Sequence, residues 1–364
     1  MREPRDHSPR REQTAPRSSS RLRILSDAAG EVLHRLFAEK MPADRTLGDF
    51  FRAHKQCGSK DRAAISRGVY ALLRYWGWWR RLFDRTLLQE VESGTGKFYH
   101  RELRSLLWAA LFTEGGYDPA ELERFRGELE LPLPASGASV LDRGRNLFRA
   151  WGVKEMPEYA HLIPAELLGL LPEDEGFRTG FLERLTLRPP LWLRLQKEPE
   201  AAFAELARSG VECRVHPVLS DAVSVTGRLD LRGLESFRSG RIEVQDLASQ
   251  CIGRIAAPRK GERWFDPCAG AGGKTLQLAS LMAGKGTVSA GDVRESALEE
   301  LRLRVRRAGF QNVTCRLHEG RPNRGMHPCD GVLVDAPCSG SGVWRRSPGN
   351  QWHLTAADVE DFSR

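Results

Sequence analysis

Trp264-Phe265-Asp266-Pro267-Cys268-Ala269-Gly270-Ala271-Gly272-Gly273-Lys274-Thr275 reads as a short buried strand that breaks into a glycine-rich turn, with a helix from Leu276 to Met282 leaving at once. Glycine permits backbone conformations and close approaches that a side chain forbids. The helix N-terminus behind the turn offers unpaired N–H groups and the positive end of the helix dipole. In open α/β sheets a strand end followed by such a turn is a ligand-binding position. Spacing separates the ligand classes. A phosphate-cradling P-loop, G-x-x-x-x-G-K-[ST], needs its first glycine where Cys268 stands, and a dinucleotide fingerprint G-x-G-x-x-G starting at Gly270 needs a glycine where Thr275 stands. Each fails by one residue. What remains sets a carboxylate, Asp266, at the strand end and leaves the backbone open to a ligand with an amino-acid tail. A glycine-rich connection without a ligand is the plain alternative.

Outward from the turn, strands and helices alternate, which means a parallel sheet. Thr287, Val288, Ser289 and Ala290 form a second strand ending in Asp292, and a helix carrying Leu298, Leu301, Leu303 and Val305 stops at Gly309. Val313–Leu317 is a third strand, and 330–335 a fourth, ending in Asp335-Ala336-Pro337-Cys338-Ser339-Gly340-Ser341-Gly342. A carboxylate at the position of Asp292 can accept hydrogen bonds from both hydroxyls of a ribose, although an Asp at a strand end also caps helices. Asp335, a rigid proline and Cys338 sit together on the edge where ligands bind. A lone cysteine is ordinarily a small buried hydrophobe; beside Asp335 and flexible glycines, Cys338 reads as functional.

Toward the N-terminus, Val244-Gln245-Asp246-Leu247-Ala248-Ser249-Gln250 opens a helix. Leu191-Trp192-Leu193-Arg194-Leu195 alternates as a half-buried strand does, a helix at 201–207 follows, and strand candidates come next at 212–216 and 223–226. Residues 152–243 are therefore a connector with short helices and a small α/β module. From 24 to 151 the periodicity is helical: Val32, Leu33, Leu36 and Phe37 form one stripe, Ile65, Val69, Leu72, Leu73 and Trp76 a second behind a cap at Ser59, and Leu103, Leu106, Leu107, Ala110 and Leu111 a third. Asp118-Pro119-Ala120-Glu121 is an N-cap, a first-turn proline and an acidic first turn. Arg74, Arg80, Arg81 and Arg85 flank Trp76, Trp78 and Trp79, a mixture that suits RNA, while tryptophans at helical spacing are more often core. Residues 1–23, rich in Arg, Ser and Pro, are expected to be a disordered basic tail.

The 364 residues hold two or three domains, and the formal charge of +8 favours an anionic partner, although +4 of it lies in residues 1–23. The seven cysteines include no C-x-x-C pair, and no His cluster has metal spacing, so reduced cytoplasmic thiols are expected and no metal. No apolar run approaches the length of a membrane span, and the N-terminus has no apolar signal core. A soluble, unexported, cytoplasmic protein is the expectation.

Asp-Pro-Cys-Ala-Gly-x-Gly-Gly-Lys-Thr, Asp-Ala-Pro-Cys-Ser-Gly-x-Gly and, ahead of both in the chain, Gln-Asp-x-Ala-Ser-Gln together resemble the RsmB/Sun family of S-adenosylmethionine-dependent RNA cytosine-5 methyltransferases. The N-terminal helices resemble that family's NusB-like RNA-binding domain, and Pro190 to Arg194 the entry to its small α/β module, so the resemblance covers nearly all of the chain beyond the tail. The fold it implies is a Rossmann-like α/β methyltransferase domain at 244–364, with an incomplete parallel sheet, preceded by an all-α NusB-like domain and the small module.

The resemblance implies that Cys268, Ala269, Gly270, Ala271, Gly272, Gly273 and Lys274 hold the methionine part of S-adenosyl-L-methionine and that Asp292 holds its ribose. Glu319 is the nearest acidic residue after the third strand for the adenosine part. Ala297 stands where the family often has a basic residue. Asp335 would lie beside cofactor and target base, and the partner would be RNA, ribosomal by type. In the implied chemistry a cysteine thiolate adds to C6 of cytosine, C5 becomes nucleophilic and takes the methyl group, and loss of the C5 proton expels the cysteine. A free thiol is mostly protonated at neutral pH, so the site must stabilise the thiolate, and the base must leave its stack. In the family the attacking cysteine belongs to a Thr-Cys pair on the strand after the Pro-Cys motif, and the Pro-Cys cysteine, here Cys338, assists release. The expected nucleophile would thus lie beyond Arg364, in a chain cut short at its C-terminus, and Thr314-Cys315 is a decoy before the fourth strand. Two alternatives stand beside this reading: Cys338 itself attacks, as the Pro-Cys cysteine does in DNA cytosine-5 methyltransferases, or the protein binds RNA without catalysis and keeps a residual cofactor pocket.

Overall fold

A computed structural model describes residues 17–82, 85–92, 100–227, 229–318 and 328–363. They divide into two compact units: one comprises the described residues up to Arg188 together with those from Ser339 onward, the other Pro189–Cys338.

The first unit is helical. Helices Arg17–Glu39, Ser59–Arg74 and His100–Glu114 bring Leu25, Val32, Leu36, Ile65, Val69, Leu72, Leu107 and Trp108 into one core. Asp118 accepts from the N–H groups of Ala120 and Glu121 to start the helix Pro119–Leu129, and Ser139 and Asp142 form a capping box for Val140–Ala150. The first helix begins at Arg17 and buries Leu22, so 17–23 is helical where a disordered tail was expected; its apolar face is supplied by residues further along the same helix. Residues 1–16 lie outside the described residues.

The tryptophans at 76, 78 and 79 are fully buried, which decides for core over an RNA-stacking surface. Tyr75 stacks on Trp78 at 5.2 Å between ring centroids, and Trp78 meets Trp79 edge to face. Trp78 donates through Nε1 to the carbonyl of Glu158 at 2.7 Å, and Trp76 to Glu92. Arg80 and Arg81 are engaged with Glu92 and Glu155. Arg74 is itself buried. The side chain of Arg85 is outside the described residues.

The domain limits also differ from the sequence expectation. Leu162, Ile163, Leu167, Leu182 and Leu185 complete the helical core, so 152–188 belongs to this unit rather than to a connector. From the far end of the chain Trp344 joins the same core, and Gln351 donates to the carbonyl of Leu162 at 2.7 Å. Apolar surface distant in sequence outweighs chain continuity here.

The second unit carries two sheets. Strands β1 (Leu191–Leu195), β2 (Glu212–Val215), β3 (Ala222–Thr226) and β4 (Ile242–Val244) pair antiparallel in the order β2-β3-β1-β4, and helix Pro199–Arg208 covers Leu193, Val223 and Ile242. Strands β5 (Arg263–Asp266), β6 (Thr287–Asp292), β7 (Val313–Leu317) and β8 (Gly331–Val332) are parallel in the order β7-β6-β5-β8. Helices Gly273–Leu281 and Glu295–Ala308 are its crossovers, and Leu276, Leu298 and Leu301 pack with Val288 and Ala290. The strand order reverses between β5 and β8, and ligands of open parallel sheets bind in the crevice at the carboxyl ends of such neighbours. The fourth strand pairs over only two residues where six were expected. Leu333 N still donates to Phe265 O at 2.8 Å, but Val332 and Val334 face outward on the edge of the sheet.

Candidate functional site

The turn after β5 is tied to both neighbouring strands. Ala269 N donates to Gly291 O at 2.8 Å, and Gly270 N donates to Asp292 Oδ2 at 2.8 Å. Four residues on, Lys274 Nζ donates to Asp335 Oδ2 at 2.6 Å. One short turn thus touches the carboxylate at the end of β6 and the carboxylate beyond β8. Glycine is required at two of its positions for different reasons. Gly270 takes φ 53°, while Gly272 takes φ 86° and its Cα faces Leu301 so closely that a Cβ would overlap Cδ1. Beside Gly273, the first residue of the following helix, a Cβ would meet nothing within 4 Å. The exposed backbone there is an open cradle at a helix N-terminus.

The carboxylates differ in state. Asp266 is 1 % exposed; its Oδ2 accepts from Thr275 Oγ1 at 2.7 Å, and its Oδ1 is buried without a partner. Burial pushes its carboxyl up to about 6, and the charge of Asp335 adds to that push. For Asp292 burial acts in the same direction, but hydrogen bonds from the Arg294 side chain and backbone and from Gly270 outweigh it and hold the carboxyl below its usual range. Arg294 reaches Asp292 Oδ1 from its backbone N at 2.9 Å and from Nε at 3.1 Å. Asp335 is half-exposed, and an ion pair as open as Lys274–Asp335 contributes only about 0–1 kcal/mol. Asp335 can therefore exchange partners readily.

Cys268 sits among these groups: burial, then the charges of Asp266, Asp292 and Asp335, push its thiol up, so it is disfavoured as a thiolate. Cys338 is exposed, three residues after Asp335. Cys315 lies mid-strand in β7 opposite Ala290, and burial raises its thiol against the opposing charge of Arg302. Glu319 lies outside the described residues. Its neighbour His318 bonds the turn through Nε2 to Pro267 O at 2.7 Å and packs against Gly291. Sequence reasoning missed Arg294, although a cation two residues after a strand-end Asp is a readable sign of a local ion pair.

Among the described residues no group of three or more His, Cys, Asp and Glu could hold a metal ion, and no helix is long and apolar enough to cross a membrane. A separate cavity of about 490 Å³ lies within the helical unit, where Arg67, Arg143 and Arg188 surround Glu114.

Asp266 makes a testable contribution to stability. Its folded carboxyl binds the proton more tightly than the usual value of 3.8, so what it contributes is fully present below about pH 4 and is lost as pH rises through about 6. Asp266→Asn is expected to flatten this part of the melting-temperature profile between pH 4 and 6.5 and to stabilise the chain at pH 7, by on the order of 3 kcal/mol at most. Parallel profiles for the two proteins across that window would refute the assignment.

Comparison with known proteins gives consistent matches. A family model described as 16S rRNA methyltransferase RsmB/F matches residues 254–364. The chain is 33% identical over 324 residues to the ribosomal RNA small subunit methyltransferase B of Klebsiella pneumoniae subsp. pneumoniae, a match covering 85% of this chain and 74% of that protein. The crystal structure of PH0851 superposes with a TM-score of 0.69 at 19% identity, covering 96% of this chain and 81% of that one. The crystal structure of NSun6 from Pyrococcus horikoshii with SFG gives a TM-score of 0.50 at 18% identity, covering 55% and 77%. At these identities the two structures speak for the fold alone.

Proposed function

We propose, because this chain belongs to the RsmB/F family of 16S rRNA methyltransferases, that it takes part in moving the methyl group of S-adenosyl-L-methionine to C5 of a cytosine in ribosomal RNA. Its parallel sheet is of the Rossmann-like methyltransferase kind, and the chain also carries an all-α unit and a small α/β module. The observation that carries the reading is the single turn whose Gly270 N–H bonds Asp292 and whose Lys274 bonds Asp335.

The residues present fit the donor. Asp266 Oδ1 is a buried acceptor without a partner, the space beside Gly273 at the helix N-terminus is open, and Asp292 is an ionised acceptor at the end of the neighbouring strand. In this reading Cys268 to Lys274 hold the amino-acid end, with Asp266 favouring its ammonium group. Asp292 accepts from the ribose hydroxyls once Arg294 turns outward, and Arg294 has the room to do so, being two-thirds exposed. The bound donor supplies an electrophilic methyl group on a sulfonium. Asp335 leaves Lys274 and hydrogen-bonds the cytosine ring, fixing the base in its flipped position. Cys338, exposed on the same edge, supplies the thiol for adding to the base or for freeing the methylated product. Burial, with the charges of Asp266, Asp292 and Asp335 adding to it, disfavours the Cys268 thiolate for that role.

Incubation with small-subunit ribosomal RNA and donor labelled in its methyl group tests this reading. Label is expected in 5-methylcytosine. Cys338→Ala is expected to reduce turnover at least tenfold while leaving S-adenosylhomocysteine affinity within twofold, and Cys315→Ala to change neither. Label in another base, or full turnover in Cys338→Ala, would contradict the assignment.

A further inference from the structure

The Gln245-Asp246 motif and the strand before it are not explained by donor contacts, yet they lie beside two buried charged residues of the second unit, Arg194 and Glu243. Glu243, in β4 of the small module, has a side chain only 2 % exposed, and both of its oxygens are taken. Oε2 accepts from Arg304 at 2.8 and 3.2 Å, and Oε1 accepts from Arg307 Nη2 at 2.5 Å. Arg304 belongs to helix Glu295–Ala308, and its remaining nitrogen Nη1 donates to Ala271 O at 2.7 Å. Ala271 is the middle of the glycine turn. A guanidinium is planar and its donors are fixed in a fork, so anchoring one side on a carboxylate sets the direction of the other side.

A second chain of contacts runs parallel to the first. Arg194 in β1 pairs in register with Glu243, is fully buried, and donates through Nε to Gln245 Oε1 at 2.6 Å. Gln245 Nε2 donates to Gln277 Oε1 at 3.0 Å, and Gln277 Nε2 donates to Gln250 O at 2.8 Å. Gln277 lies on the helix that starts at Gly273, and Gly253 approaches it so closely that a Cβ would overlap the amide. The turn is thus held from its carbonyl side by Glu243–Arg304 and from its helix side by Arg194–Gln245–Gln277.

The geometry points to Glu243 and Arg304 as positioning residues for the methyl-donor site: the small α/β module fixes the conformation of the glycine turn through one buried carboxylate and one forked cation. Neither residue contacts the donor in this assignment. Arg304 holds the Ala271 carbonyl while the N–H of the same peptide, that of Gly272, bonds back to Ala269 O at 2.8 Å, so the path of the turn is set from both sides, and Glu243 holds Arg304. The small module is then part of the donor site's frame as well as a folding unit beside it. Because backbone N–H groups recognise a ligand only in a set orientation, loosening the Ala271 peptide weakens binding without removing a contact.

This inference rests on reading the turn as the donor site, and two measurements keep the two apart. The first is calorimetric titration of the whole chain with S-adenosylhomocysteine. Arg304→Lys keeps the charge but cannot span both partners, and it is expected to lose about as much affinity as Arg304→Gln, roughly tenfold in each case. The second is amide hydrogen exchange in the ligand-free chain, where both variants are expected to speed exchange at 270–273 at least tenfold and to leave the helical unit unchanged. Glu243→Gln, which weakens the anchor while preserving its shape, is expected to follow them in direction. Affinity and exchange within twofold of the parent in both Arg304 variants overturn the inference, as does rescue by lysine. If the parent chain gives no heat with S-adenosylhomocysteine, the donor-site reading fails, and the exchange rates alone decide the brace.

Discussion

Asp292→Ala is expected to weaken S-adenosylhomocysteine binding by roughly a hundredfold to a thousandfold. The carboxylate is 5 % exposed and held ionised by Arg294 and Gly270, so it is a ready acceptor for a pair of hydroxyl groups. Hydrogen bonds to a charged partner are worth about 1.5–3 kcal/mol each, and two of them account for most of that loss. A second contribution comes from the turn, because Gly270 N–H loses the partner that orients it. Asp292→Asn keeps an acceptor without the charge and is expected to fall between the two. Calorimetry on variants whose melting profiles match the parent checks this, and a loss smaller than threefold in Asp292→Ala would remove the ribose role from this residue.

The largest expected effect on stability is in the helical unit, at Glu114. Its side chain is 6 % exposed and takes both Nε and Nη2 of Arg188 at 2.9 Å, with Arg74 Nε at 3.4 Å and Arg67 Nε at 3.7 Å. Arg74 is almost fully buried, and burial lowers its pKa first, with Glu114 the main opposing charge. Glu114→Ala leaves that guanidinium in the interior without its counter-charge. Removing one partner of a buried ion pair costs about 3–5 kcal/mol. The hydrogen bonds from Arg74 to the carbonyls of Leu185 and Arg345 remain, and they hold the loss toward the lower end of that range. Denaturant unfolding followed by tryptophan fluorescence weights this unit, since Trp76, Trp78, Trp79 and Trp108 all lie in its core while the second unit carries only Trp192 and Trp264. A change below about 1 kcal/mol would show that Arg74 does not depend on Glu114 for its counter-charge.

What was legible in the sequence follows from the range over which each signal acts. The glycine turn, β5, β6 and β7 and the helix ending at Gly309 are written locally, as alternation, helical period and backbone requirements, and they stand where the spacing put them. Strand β4 escaped because three residues, Ile-Glu-Val, show no period, and its pairing with β1 is decided by sequence far away. Strand β8 is shorter than its apolar run and pairs with β5 over two residues only, a limit that no local signal announces. The placement of 152–188 and of Trp344 in the helical core was not legible, because nothing in either segment names its partner. The tryptophan cluster shows the converse: flanking arginines suggested a surface, but Gly77 lets the chain pass against the His161 carbonyl and the rings turn inward. At the site, Asp266, Asp292 and Asp335 could be singled out from their places at strand ends. Their engagement with Thr275, Arg294 and Lys274 could not, since side-chain partners depend on the register of a sheet that no single segment specifies.

The claim on which the account depends is that the turn after Asp266, the end of β6 and the segment after β8 form one receptacle for the methyl donor. Hydrogen–deuterium exchange of the whole chain, with and without saturating S-adenosylhomocysteine, measures this directly. The account predicts that protection appears together at 268–274, around Asp292 and across 335–338, and is absent from the helices carrying Trp79 and Glu114. Protection confined to the helical unit, or present at one of the three segments and missing from the others, would contradict it.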